Sequence, residues 1–435
     1  MKNTLIPAAL LALSTTAAHA QEAFGATLTA HAELPAATFV PAPDGASPHY
    51  NLSGRFTGND GRITDPYANV QGNGMALPFP GQPLQGFSGI RSLGDGRFLV
   101  LTDNGFGARG NSSDVILMFN IVKPDWETGR IAIERTVRLS DPDQKVSFPI
   151  MNEATPARYL TGADFDTESI QPVGDTYWIG DEFGPWVIQV DAEGQVLQVL
   201  ATEPGGNLMR SPDNVFVTAA DPGAELPAEV VTFRSGGYEG MALSEDRKTL
   251  YPLLEKSVWD AEAGAQETVN GVPVLRMMEV STETGQWGDK IRYYPLEDAG
   301  HAIGDFNLIE GTRGLIIERD NGQGDPREGW AETPAAFKRI YLVDLERLDE
   351  NGVLEKIAYI DLMNILDPEG IAPRGTIDGV FSFPFVTIED VDRIDETHIV
   401  VANDNNFPFS VGRQEGRADD NEMILLEVGD FLKAE

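Results

Sequence analysis

The chain has 435 residues, 68 acidic against 32 basic side chains, a formal net charge of -36 and no cysteine. That charge argues strongly against nucleic acid or an anionic membrane as a partner. The absence of cysteine removes disulfides, thiolate metal sites and a cysteine nucleophile.

In chain order, the first expected element is a secretory signal. Met1-Lys2, an apolar stretch from Leu5 to Leu13 and Ala18-His19-Ala20 supply a positive start, a short apolar region and a small-residue cleavage site. The mature chain is expected to begin near Gln21, after a signal peptide over 1–20. No later stretch is long and apolar enough to span a bilayer, and there is no cysteine to acylate. The expectation is a periplasmic or secreted protein, monomeric, with one domain over 21–435. No linker-like segment interrupts it.

The segments that follow read as strands. Ile131-Ala132-Ile133, Val187-Ile188-Gln189-Val190, Val196-Leu197-Gln198-Val199-Leu200 and Arg339-Ile340-Tyr341-Leu342-Val343 are apolar and β-branched. Turn dipeptides punctuate them at Asp95-Gly96, Glu193-Gly194 and Asn351-Gly352. Asp361 to Leu366, ahead of Asp367-Pro368, is the one candidate for a short helical turn.

Five of these strands run into an acidic or amide-rich turn. The turns carry Asp103-Asn104, Asp181-Glu182, Glu255-Lys256, Asp320-Asn321 and Asp404-Asn405. Some 13 to 16 residues before each turn lies a second segment, often acidic: Ser88-Gly89-Ile90, Glu168-Ser169-Ile170, Glu239-Gly240-Met241, Asp305-Phe306-Asn307 and Glu389-Asp390-Val391. That spacing fits a hairpin, in which the start of one strand lies beside the end of its partner. Both acids of a unit then share one end. Such a repeat predicts an all-β fold, a β-propeller with the acidic ends at its hub. Six blades are favoured, with five or seven open. Residues 36–56 are expected to close the ring beside Met423–Val428.

Carboxylates, amides and carbonyls are the oxygen ligands that Ca²⁺ takes, six to eight at a time. The candidate metal ligands are Asp103, Asn104, Glu168, Asp181, Glu239, Glu255, Asp320, Glu389, Asp390 and Asp404. Asp181, Glu182 and Glu239 are the candidate catalytic acids. The competing reading is that each Asp or Asn only shapes its own turn. Four histidines of the mature chain, His31, His49, His301 and His398, lack the spacing of a zinc or iron site. Arg91, Lys256, Arg319, Arg374 and Arg413 lie near acids in the sequence. Cations beside a carboxylate cluster suit an anionic substrate, Arg through paired N–H donors; Arg319 and Lys256 are the candidate catalytic cations. There is no nucleophile elbow, P-loop or dinucleotide fingerprint. Trp178, Phe183, Trp186 and Phe407 are expected to pack between blades.

Several of these runs resemble one family. They are Phe87-Ser88-Gly89-Ile90 through Asp103-Asn104-Gly105, Glu168-Ser169-Ile170 with Trp178 to Pro185, Tyr238 to Leu243, and Asn403 to Pro408 with Gly412-Arg413. Together they are similar to the bacterial phytase-like domain, "esterase-like activity of phytase", over roughly residues 80 to 430. The resemblance implies an exported propeller related to Ca²⁺-dependent propeller phytases and phosphatases. The leading expectation is therefore a Ca²⁺-dependent phosphoester hydrolase acting on small phosphorylated solutes. A metal-dependent lactonase or carboxylesterase on the same scaffold is the alternative, as is a non-catalytic Ca²⁺-stabilised binding protein.

Overall fold

The computed structural model describes residues 21–56, 73–217 and 227–435. The expected signal segment over 1–20 lies outside them. Among the described residues the fold is all-β, with no α-helix and three short 3-10 turns. No helix there is long and apolar enough to cross a membrane.

Five antiparallel units follow one another. The first joins Phe87–Ser92, Phe98–Thr102, Met118–Asp125 and Arg130–Arg138. The second joins Thr167–Val173, Thr176–Asp181, Trp186–Asp191 and Val196–Ala201. The third is built on Tyr238–Leu243, Thr249–Leu254, Val272–Met277 and Arg292–Pro295. The fourth runs through Ala302–Glu310, Arg313–Arg319, Lys338–Leu348 and Leu354–Asp361. The fifth has Asp390–Arg393, His398–Ala402 and Asn421–Glu427.

The fifth unit takes its outer strand from the other end of the chain. Thr27–Leu34 pairs antiparallel with Asn421–Glu427. The closing strand was expected within 36–56. That region instead forms a two-residue pairing of Phe39–Val40 with Gln82–Pro83. Thr27–Leu34 alternates apolar and polar residues and can bury one face; 36–56, rich in Pro, Gly and Ser, cannot sustain a ladder. The expected helical turn at 361–366 is a single hydrogen-bonded turn, the Asn364 amide donating to the Asp361 carbonyl at 3.1 Å, with no helix after it. Ile365–Leu366 is a short strand against Val380–Phe381.

The apolar cores lie between successive units. Leu101 and Phe119 of the first meet Ile170 and Ile188 of the second. Trp178 and Val187 of the second meet Tyr238 and Met241 of the third. Leu253 and Leu275 meet Phe306 and Tyr341, and Ile317 and Leu342 meet Val391 and Val401. Finally, Val400 and Met423 of the fifth meet Phe87 and Val100 of the first. The first strands of consecutive units touch in the same cyclic order. Their approach is tight where they converge. A Cβ on Gly304 would sit 1.9 Å from the Ile388 carbonyl oxygen, so no side chain fits there. Trp178, Phe183, Trp186 and Phe407 are all buried between or beside units, as expected from their apolar bulk.

Candidate functional site

Where the first strands converge, acids gather at one end. The backbone aims them by a specific device. In the second unit Gly180 opposes Ser169 and Asp181 opposes Thr167, so Glu168 is an extra residue bulged out of the ladder. In the third, Tyr238 opposes Leu254 and Gly240 opposes Leu253, which makes Glu239 the bulged residue. The first and fourth units shift register at the corresponding place, between Phe87 and Ile90 and between Ile303 and Phe306. A β-bulge re-aims a side chain and is common beside active sites. Here it turns two glutamates out of the strand pleat and into the shared centre.

Two overlapping acid triads result. Asp103, Asp166 and Glu168 each offer a carboxylate oxygen, all within 4.8 Å of one another, and so do Glu168, Glu239 and Glu389. Glu168 belongs to both. Glu182, Glu255 and Asp404 border the triads, as their mutual electrostatic influence shows. All are buried except Asp103, which is half-buried. Burial, followed by the charge of neighbouring carboxylates, pushes Asp166, Glu168 and Glu239 well above the usual carboxylate range. Glu182 and Asp404 are raised in the same way. Glu389 is lifted to about 7, with Arg319 resisting the rise.

Two cations stand beside this set. The Arg319 guanidinium, 4 % exposed, reaches Glu255 at 3.2 Å and Glu389 at 3.1 Å. Lys256 Nζ lies 3.3 Å from Glu255 and donates to the Arg234 carbonyl at 3.0 Å. Even so, polar atoms remain unsatisfied. Among the described residues Glu182 Oε1, Glu239 Oε1 and Arg319 Nε are buried without a hydrogen-bond partner. Buried polar groups are ordinarily paired. Converging carboxylate oxygens, two of them unpaired, are what a hard divalent cation requires, so the residues fit Ca²⁺.

Other sequence candidates are placed differently. Asp181 is fully buried, and its oxygens accept the Asp166 and Gly184 amides at 2.8 and 2.7 Å. It shapes the turn that carries Glu182 and Asp166. Burial outweighs those bonds and lifts it to about 7. Asn104 likewise organises its loop, accepting from the Phe106 and Gly107 amides, while its Nδ2 donates to Asp166 at 2.5 Å. Asp320 is not brought to the triads. It pairs with buried Lys338 at 2.9 Å and accepts the Ala336 and Phe337 amides. Asp390 sits one step deeper, accepting the Gly89 amide with Oδ1 while Oδ2 has no partner. Arg91 pairs with Asp392 at 3.3 Å. Arg374 and Arg413 bind Glu33, Asp420 and Glu422 in the fifth unit. His301 is taken by Glu318 at 2.9 Å and packs at a tilt against Phe337.

Asp166 is the residue sequence reasoning missed. It precedes the second unit's first strand by one position, outside the strand-and-turn offset that marks the others. The signal was present as Asp164-Phe165-Asp166-Thr167-Glu168, an acid at every second residue.

A curated relative from Arthroderma benhamiae, described as an uncharacterized secreted protein, is 31% identical over 102 residues, 21% of this chain and 20% of the relative. The chain thus spans about a fifth of that relative's length. Among solved structures, a GH43 beta-xylosidase/alpha-arabinofuranosidase from a compost microbial metagenome aligns over 79% of this chain and 91% of its own, at 6% identity and a TM-score of 0.38. A putative 6-phosphogluconolactonase from Bacteroides uniformis aligns over 81% and 88%, at 12% identity and a TM-score of 0.29. The family model for phytase-like proteins, described as esterase-like activity of phytase, matches residues 82–407. With three quarters of its length matched, and the acid-bearing hairpins all inside that span, the chain belongs to the phytase-like family.

Proposed function

We propose that this chain is an exported, Ca²⁺-dependent phosphoester hydrolase built as a single five-bladed propeller. The cyclic packing of five cores, with an N-terminal strand completing the fifth sheet, supports the blade count. The segment over 1–20 supports export on sequence grounds.

One observation carries the function. Two carboxylate triads sharing Glu168 lie beside an arginine and a lysine at the same end of the hub. Asp103, Asp166, Glu168, Glu239 and Glu389 would hold Ca²⁺. Bound there, Ca²⁺ would draw phosphate oxygens in, offset their charge and lower the pKa of a water. Arg319 supplies a fixed cation for charge developing on the transferring phosphoryl group. Burial strengthens that interaction, and Glu255 and Glu389 orient its guanidinium plane. Glu182 belongs to neither triad and keeps an unpartnered oxygen, which suits it to accept the proton of the attacking water. Lys256 offsets Glu255 and holds the 234–235 backbone at the rim. Asp181, Asn104 and the turn amides position these groups without touching substrate.

The test is hydrolysis of chromogenic phosphomonoester, phosphodiester and carboxylic ester substrates by the purified mature protein, with Ca²⁺ and with chelator. Ca²⁺-dependent phosphate release, lost in folded Glu239→Gln and Glu182→Gln variants, is expected. Turnover of the carboxylic ester alone would replace the phosphoester reading with a lactonase or esterase.

A further inference from the structure

A cavity lined by none of the hub acids lies on the seam where the ends of the chain meet. Thr27–Leu34, the outer strand of the fifth unit, touches the first unit through a parallel bridge from Glu33 to Arg130. The Glu33 amide donates to the Gly129 carbonyl at 3.0 Å. Above this bridge is a cavity of about 580 Å³ lined by His31, Glu33, Trp126, Arg130, Ile371 and Pro373, among others.

Its wall is chemically mixed. Half-buried Trp126 and Ile371 offer flat apolar surface. His31 offers a directed acceptor, for a reason set behind the wall. Glu422 receives two bonds from Arg413, both at 2.7 Å, and is therefore ionised. An ionised carboxylate only accepts, so at 3.1 Å the His31 Nε2 must be the donor. The remaining nitrogen, Nδ1, has no hydrogen-bond partner among the described residues and keeps its lone pair when the ring is neutral. Glu33 gives one oxygen to Arg374 at 2.5 Å and leaves the other available. Glu33, Glu127 and Arg130 are the charged side chains of the lining, and Arg374 behind it pairs with both Glu33 and Asp420.

A cavity with apolar faces and a few convergent acceptors suits a molecule that combines an apolar face with hydroxyl donors. We propose that this cavity binds a neutral sugar ring, its C–H face against Trp126 and its hydroxyls donating to His31 Nδ1 and Glu33. The site is separate from the acidic hub and does not depend on hydrolysis there.

The experiment is calorimetric titration of the full mature chain with glucose, galactose, mannose and glucose 6-phosphate, in chelator so that the acidic end holds no metal. Saturable binding of at least one neutral sugar is expected. It should be retained in Trp126→Phe and be roughly tenfold weaker in Trp126→Ala, the loss of one stacked ring. Glu33→Gln, which keeps the shape of the side chain, should also weaken it and guards against a Trp126→Ala variant that does not fold. No saturable binding of any neutral sugar, unchanged affinity in Trp126→Ala and Glu33→Gln, or binding of glucose 6-phosphate alone would each overturn the assignment.

Discussion

Two sets of buried acids in this protein contain the same residue types and behave in opposite ways. In the fifth unit Glu422 is fully enclosed, and burial works against its charge. Arg413 and His31 outweigh that and hold it down at about 2. The fourth unit repeats the pattern. Glu318 accepts from Tyr294, His301 and Lys356 and is lowered despite its burial. At the hub, by contrast, five or more carboxylates share essentially one arginine and one lysine, and burial wins. Enclosure alone does not decide what a buried acid is for. A full complement of partners marks an architectural group, whereas the acids left in mutual repulsion are the ones the proposed function assigns to a cation.

The largest effect that would break this contrast is expected in the paired set. Arg413→Met leaves Glu422 enclosed without its cation, and should destabilise the fold by about 3–5 kcal/mol in urea titration. Loss of less than about 1 kcal/mol would mean the pair is replaceable by packing. The same set has a pH signature. The folded pKa of Glu422 lies below its ordinary value, so its contribution is complete above the unfolded pKa. It is lost as pH falls toward about 2. Glu422→Gln should flatten that acid limb of the stability curve. At the hub, Ca²⁺ at about one hundred times its Kd should stabilise the protein by about 2.7 kcal/mol, read as a rise in Tm. No rise would remove the cation from the argument. Glu239→Gln should raise metal-free stability by roughly 1–2 kcal/mol, by relieving repulsion among enclosed carboxylates, and should abolish the Ca²⁺ response. The smallest effect belongs to the surface. Arg135, exposed and 3.0 Å from exposed Glu193, should be replaceable by Ala within about 0.5 kcal/mol.

The all-β character was legible because strand signals are local. Alternation and β-branching at Val187–Val190 or Arg339–Val343, closed by Glu-Gly and Asn-Gly turns, leave few other conformations. The strand-end acids were also legible, since Asp103, Glu168, Glu239, Glu389 and Asp404 recur at a hairpin's spacing. What misled was taking every member of that pattern as equivalent. Asp320 fits the offset as well as Asp404 does, yet Lys338 reaches it from the third strand of its own unit. Asp181 fits too, but spends both oxygens on backbone amides.

The sequence by itself determined the fold class, the hairpin repeat, the family and the end of each hairpin where acids accumulate, because periodicity and turn chemistry act over a few residues. Which acids meet was decided only in three dimensions. A one-residue bulge at Glu168 and at Glu239 selects the direction of a side chain, and a register shift leaves no mark in composition. The closure by Thr27–Leu34 belongs to the same class. Its partner lies almost four hundred residues away, and only the packing of an apolar face between the two ends of the chain chooses it over its neighbours.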